Sequence, residues 1–246
     1  MKRLLLIALN EGRLIMADPF PVLLLIGMPA LLLTFVANGF VGGSVRSVPG
    51  LLMLFGFFGP SVVGISFFRE HGWNTWDRFR ASPAHPLEVI AGKALPFVVL
   101  FIMQHVILLS FGKLWFAMPW RGTLIEATGV IGSVVTVEVT FGILLVTLCR
   151  TINQVNALGN LGGLLFAGLG GALTPVSDLP MWVQWLAPAS PVYWAIKGFE
   201  VLVGAGGGQR SVTWPVTVLM AFATFATVFS LWQYRFDQHK TFYGAP

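Results

Sequence analysis

Apolar residues run along this chain in uncharged blocks, and the segments between the blocks hold nearly all of its charge. A helix needs roughly 20 apolar residues to cross the hydrocarbon core of a bilayer. Blocks meeting that test lie at about 20–42, 48–68, 94–115, 124–149, 154–174 and 212–234. They predict an all-α polytopic membrane protein with six transmembrane helices. The fourth block carries Glu126 near one end and Glu138 near its middle. Residues 1–18 read differently: Leu4, Leu5, Ile7, Ala8, Leu14 and Ile15 alternate with Lys2, Arg3, Asn10, Glu11 and Arg13. This pattern predicts an amphipathic helix lying in the membrane interface. Its apolar stretch, Leu4 to Leu9, is too short for the core of a cleavable signal peptide.

One further uncharged stretch, within 178–203, is divided by Pro180, Pro188 and Pro191 into pieces too short to span. Trp182, Trp185, Tyr193 and Trp194 are aromatics of the kind found at headgroup level. The expectation is two short re-entrant helices dipping into the outer interface between the fifth and sixth spans. Basic residues then fix the orientation. With the N-terminus inside, Lys2, Arg3, Arg13, Arg69, Arg78, Arg80, Lys93, Arg150, Arg235 and Lys240 are cytoplasmic; Arg46, Lys113, Arg121, Lys197 and Arg210 are outer. This excess predicts N-in, C-in topology, because inner loops retain Lys and Arg.

Composition agrees with a chain solvated by lipid: 56% of its residues are hydrophobic and 10% charged. A soluble domain has about 25% charged residues. The net charge of +5 is scattered at the ends of apolar blocks and forms no stripe, so no nucleic-acid partner is expected. Cys149 is the one cysteine and the four histidines are dispersed, so no disulfide or metal site is expected. No repeat or linker divides the chain; residues 1–246 read as one membrane domain.

Motifs for an engine are missing. There is no GxxxxGK[ST] loop, and the run Gly204–Gly208 is followed by Gln209 and Arg210. HExxH and GxSxG are absent as well. His85 and Glu88 share a helical spacing, but Pro83 and Pro86 interrupt the helix around them, and a solvated loop is the expectation. Two features remain. The loop 69–93 gathers Arg69, Glu70, Asp77, Arg78, Arg80, Glu88 and Lys93 with Trp73, Trp76 and Phe79. Within it, residues 75–79 predict a short helix, capped by Thr75 or Asn74 and stopped at Ser82-Pro83. Exposed aromatics there suit a soluble partner or a headgroup layer. Glu138 is the second feature. A mid-span carboxylate is unfavourable by about 2.5–3.5 kcal/mol on insertion scales, so it faces a cavity or a polar partner. A substrate-facing group and a hydrogen bond between helices, with Ser133, Thr136 and Thr140 near, both fit.

The loop resembles that of the membrane subunits of type-2 ABC exporters, the ABC-2 type permeases. Their first cytoplasmic loop runs Arg-Glu, a Gly, a Thr-Leu-Glu-Arg-Leu-like stretch, Ser-Pro, then Leu and Gly-Lys. Here stand Arg69-Glu70, Gly72, Thr75-Trp76-Asp77-Arg78-Phe79, Ser82-Pro83, Leu87 and Gly92-Lys93. A second likeness is Pro175, Leu179-Pro180-Met181-Trp182, Trp185, Pro191 and Tyr193 near the outer face, and a third is Asp18-Pro19 before the first span. The resemblance implies that Glu70, Trp73, Thr75, Trp76, Asp77, Arg78 and Phe79 form a coupling helix docking on an ABC ATPase. It implies two copies of that ATPase, a second permease subunit, and ATP and Mg bound by the partner, with none bound by this chain. Trp76 and Phe79 replace the usual aliphatics and Asp77 replaces Glu, departures that bear on partner choice. The implied function is ATP-driven export of an amphipathic drug, antibiotic or lipid across a bacterial cytoplasmic membrane. Polysaccharide export, an integral membrane lipid-modifying enzyme and an ion-coupled carrier using Glu138 stay open. An enzyme would need a convergent carboxylate, His or Ser set that Glu138 alone does not supply.

Overall fold

The computed structural model describes residues 2–36, 43–73, 75–205 and 211–233, with Phe79 described in its backbone only. Asn74, Arg210, Arg235, Lys240 and the predicted ends of the first and sixth spans lie outside the described residues. Those described form helices joined by short turns, with no extended strand.

Helix α1 (Lys2–Ala17) is followed by α2 (Phe20–Val36), and the two axes meet at 65°. Asp18-Pro19 makes that corner, because proline bars its predecessor from helical geometry. The bend follows the predicted boundary between interface helix and first span. Helices α3 (Ser44–Gly56) and α4 (Gly59–Gly72) make one interrupted rod from Ser44 to Gly72, broken by a turn at Phe57 and Phe58. The short α5 (Trp76–Ala81) precedes α6 (Pro86–Trp115), α7 (Leu124–Leu148) and α8 (Ile152–Leu169). Single 3-10 turns flank α9 (Met181–Leu186); α10 (Pro191–Leu202) and α11 (Thr213–Gln233) complete the order.

Four of these units are long and apolar enough to cross a membrane: Ser44–Gly72, Pro86–Trp115, Leu124–Leu148 and Thr213–Gln233. Counting the bent α1–α2 pair as one raises the number to five. The predicted fifth span is shorter than expected, since α8 ends at Leu169 and the chain turns at Gly170 and Gly171.

The start of α6 corrects the expected loop at His85 and Glu88. Pro86 occupies the first helical turn, where its missing N–H costs nothing. His85 Nδ1 accepts from Leu87 N at 3.3 Å, and Glu88 Oε2 accepts from His85 N at 3.1 Å. Together these bonds close a reciprocal cap, and α6 begins eight residues before the predicted span, at Pro86 against residue 94. Thr123 and Glu126 cap α7 in the same manner, so Glu126 is a capping group.

Helix α7 is the hub: α11, α4, α6, α8 and α10 all pack on it. Phe57, Leu108, Val130, Val134, Val137, Ala195, Phe199 and Leu219 form a core around its N-terminal half. Val63, Phe67, Trp76, Val89, Phe97, Phe101 and Val139 form a second core toward α1.

Candidate functional site

At the end of the bundle where α1, α4 and α6 converge, three charged side chains are buried together beside a partly buried Arg69. Lys93 is fully buried, with its Nζ 2.5 Å from Glu11 Oε2 and 2.9 Å from Glu70 Oε1. Arg69 Nη2 lies 2.6 Å from Glu11 Oε1. Thr75 Oγ1 donates to Glu70 Oε2, and Thr75 N donates to Glu70 O at 3.0 Å. Two acids and two bases therefore cancel, and each is held by charge-assisted hydrogen bonds. Gly92 makes the approach possible: a side chain there would strike Ile7 Cβ at 2.9 Å, so α1 can lie directly on α6 beside Lys93.

This cluster corrects the expected placement of several residues. Glu11, expected on the polar face of an interface helix, is 1% exposed. Lys93, expected as a solvated loop charge, is 0% exposed. Glu70 is only 4% exposed and turned inward. Thr75 gives its hydroxyl to Glu70 and does not cap α5. Trp76, expected to be exposed, is buried against His71 with ring centroids 4.7 Å apart. It is a plug that seats the start of α5 in the core formed with Phe67, Val89 and Phe97. Arg3 Nη1 donates to Pro83 O, closing α1 over the far end of the loop.

Trp73, Asp77, Arg78 and Arg80 face outward. Arg69 lies over the Trp73 ring at 5.2 Å, and Arg80 Nη1 is 3.5 Å from Asp77 Oδ1. The Phe79 side chain lies outside the description. The loop thus divides into an inner set (Glu70, Thr75, Trp76) that fixes its position and an outer set (Trp73, Asp77, Arg78) open to a partner. Sequence spacing alone gave no sign of that division, because Glu11 and Lys93 are 82 positions apart.

Glu138 is fully buried on α7, against Gly56 at the break between α3 and α4. Ser133, Thr136 and Thr140 bond to carbonyls of their own helix, so they are not its partners. Its neighbour is His105 of α6, whose Nε2 lies 3.8 Å from Glu138 Oε1. That separation exceeds a hydrogen bond, and neither Glu138 oxygen has a partner among the described residues. His105 Nδ1 is fixed by Phe101 O at 2.8 Å, and the ring stacks on Phe199.

At the opposite end, the predicted pair of short helices is present as α9 and α10. Trp182 and Trp185 of α9 are exposed, and Pro180 precedes its first turn. Pro191 opens α10 behind Ser190, whose Oγ accepts from Val192 N and donates to Phe166 O at 2.7 Å. Tyr193 is partly buried, while Ala195, Ile196, Phe199 and Leu202 make α10 a core helix. Two apolar cavities flank α7. One, of about 310 Å³, lies among Phe57, Phe141, Leu158, Gly163 and Phe225; the other, of about 300 Å³, among Ile90, Ala94, Thr140, Ile143 and Leu231.

Residues 4–203 match the ABC-2 type transporter family. The chain belongs to that family. It is similar to a protein described as a probable multidrug ABC transporter permease, YbhR of Escherichia coli (strain K12), with 30% identity over 152 residues. That alignment covers 59% of this chain and 40% of the relative. It is also similar to the linearmycin resistance permease protein LnrN of Bacillus subtilis (strain 168), with 27% identity over 160 residues, 64% of this chain and 41% of the relative. The chain therefore spans about two fifths of the length of the curated relatives it matches. No solved structure matches it. Family and apolar helices together make it a multi-pass membrane protein.

Proposed function

We propose that this ABC-2 chain is the permease subunit of an ATP-driven exporter in a bacterial cell membrane, powered through α5 by a separate ATPase. The observation that carries the reading is the short outward helix α5 braced on the buried cluster of Glu11, Arg69, Glu70 and Lys93. An exposed loop cannot transmit force into a bundle; one pinned to α1, α4 and α6 can. ATP and Mg belong to the ATPase, present in two copies beside two permease subunits. Six spans with both termini inside are the topology this reading adopts, with α1 in the inner interface and Trp182 and Trp185 in the outer one. The apolar cavities beside α7 suit an amphipathic cargo, in keeping with the multidrug and linearmycin resistance permeases among its relatives.

Charge reversal on the outer set tests the docking. Asp77→Arg and Arg78→Glu are each expected to lower co-purification of the ATPase at least about tenfold, since like charges brought face to face at an interface disfavour binding by over about 1.4 kcal/mol. Thermal melting of the permease is expected to stay unchanged, because both side chains are exposed. Undiminished co-purification in both variants would sink the docking assignment.

Glu138 is read here as a packing group between α6, α7 and the break before α4 and not as a cargo contact, because it is enclosed and lines neither cavity. Glu138→Gln keeps the shape and supplies an N–H that can donate to His105 Nε2. Export by that variant is expected to match wild type in a cellular drug-accumulation assay. Loss of export with unchanged melting would restore the cargo-path or ion-coupling role.

A further inference from the structure

We propose that the pocket between α3 and α10 is a binding site for one oxyanion group, a phosphate or a carboxylate, borne by a lipid headgroup or free in solution. The cavity measures about 210 Å³, and Arg46, Ser177, Tyr193, Lys197 and Glu200 contribute its polar lining. Its charges do not balance. Lys197 Nζ lies 3.0 Å from Glu200 Oε2, and Arg46 Nη1 lies 3.6 Å from Glu200 Oε1. Two cations thus share one carboxylate, and the Arg46 contact is longer than a hydrogen bond. Arg46 Nε is buried without a partner among the described residues. A buried donor left unmade is costly, and more so on a charged group. Asp178 binds Ser177 Oγ at 3.0 Å and is itself exposed.

An oxyanion resolves each of these features at once. The guanidinium edge offers planar donors suited to phosphate or carboxylate geometry, and Lys197, held 5.8 Å from the Tyr193 ring, adds a point charge. The walls come from the turn after α8, at Gly170, Pro175 and Val176. Arg46 begins the rod that ends at Gly72, so the pocket and α5 occupy opposite ends of one helical unit. The site is therefore separate from the ATPase-facing loop and does not depend on the export reading.

The test uses the full chain in phosphatidylcholine nanodiscs doped with phosphatidylglycerol, bound lipid being counted by native mass spectrometry with and without inorganic phosphate. Wild type is expected to retain phosphatidylglycerol over phosphatidylcholine. Arg46→Gln and Lys197→Gln should each reduce that retention about tenfold, the scale of one charge-assisted contact. Glu200→Gln should increase it, because the competing carboxylate is gone, a gain that misfolding cannot imitate. Retention that millimolar phosphate displaces identifies a free anion as an occupant; retention that resists phosphate identifies the headgroup; either supports the site. Equal retention in wild type, Arg46→Gln and Lys197→Gln, a fall in Glu200→Gln, or a wild type that holds neither probe would overturn it.

Discussion

Lys93→Met is expected to destabilise the chain by about 3–5 kcal/mol, the range for breaking a buried ion pair by removing one partner. The side chain is fully enclosed, and its ammonium serves two carboxylates that have no water to fall back on. The loss is not shared equally. Glu11 keeps Arg69 at 2.6 Å, whereas Glu70 keeps only the Thr75 hydroxyl and its backbone neighbours. Glu70→Gln in the Lys93→Met background should therefore recover the larger part of the loss, and Glu11→Gln the smaller. Denaturant unfolding in detergent micelles, followed by tryptophan fluorescence, compares wild type, Lys93→Met, both doubles and the Glu70→Gln and Glu11→Gln singles as two mutant cycles. A Lys93→Met variant within about 0.5 kcal/mol of wild type, the scatter of ordinary surface substitutions, would show that the cluster does not brace the bundle. On the docking proposed above, the same variant should lose the ATPase even though α5 is untouched, because α1, α4 and α6 would no longer hold it in place.

Much of this architecture was legible from hydropathy, because membrane helices must satisfy their own backbone and so write their length in apolar residues. The corner at Asp18-Pro19, the rods ending near Trp115 and Leu148, and the paired short helices around Pro191 all follow from that rule and from proline chemistry. Charge was harder to read. Glu11 read as the polar face of an interface helix, and Glu70 and Lys93 read as charges of a solvated loop. Their burial depends on which helices meet, and α1 reaches α6 across more than 80 positions of chain. Gly92 beside Lys93 was the available signal, since a glycine inside a helix marks a close neighbour. The cap at His85, Pro86 and Glu88 was also written in the sequence, but histidine is an uncommon N-cap, and the proline read as a breaker instead of a start. Glu138 stood out in the sequence by its depth, yet its neighbour His105 was invisible because it comes from another helix.

Gly163→Ala is expected to cost about 1–3 kcal/mol, the range for overpacking a well-filled contact. Gly159 and Gly163 stand four apart on α8, the spacing of a small-residue seam that can serve within a bundle or against a second copy. The structure spends it within the bundle, where α8 crosses α4 and the break before it. A methyl group at Gly163 would lie 3.0 Å from the Phe57 carbonyl carbon and closer still to its oxygen. Backbone cannot rotate aside as a side chain can, so the helices must separate. A methyl group at Gly159 would lie 2.6 Å from Ser61 Cβ in the same contact, and Ser61 Oγ reaches Asn160 Oδ1 at 3.0 Å. Gly162 shares the helix but meets nothing within 4 Å, so Gly162→Ala should be neutral or slightly stabilising, alanine being the better helix former. Thermal melting of the two variants in one detergent separates local packing from helix propensity. A second-copy seam would give a different pattern: unchanged subunit melting for Gly163→Ala, with a shift from dimer to monomer in size-exclusion chromatography. The expected result is the reverse, a lowered melting temperature, because the atoms that Gly163 would strike belong to its own chain.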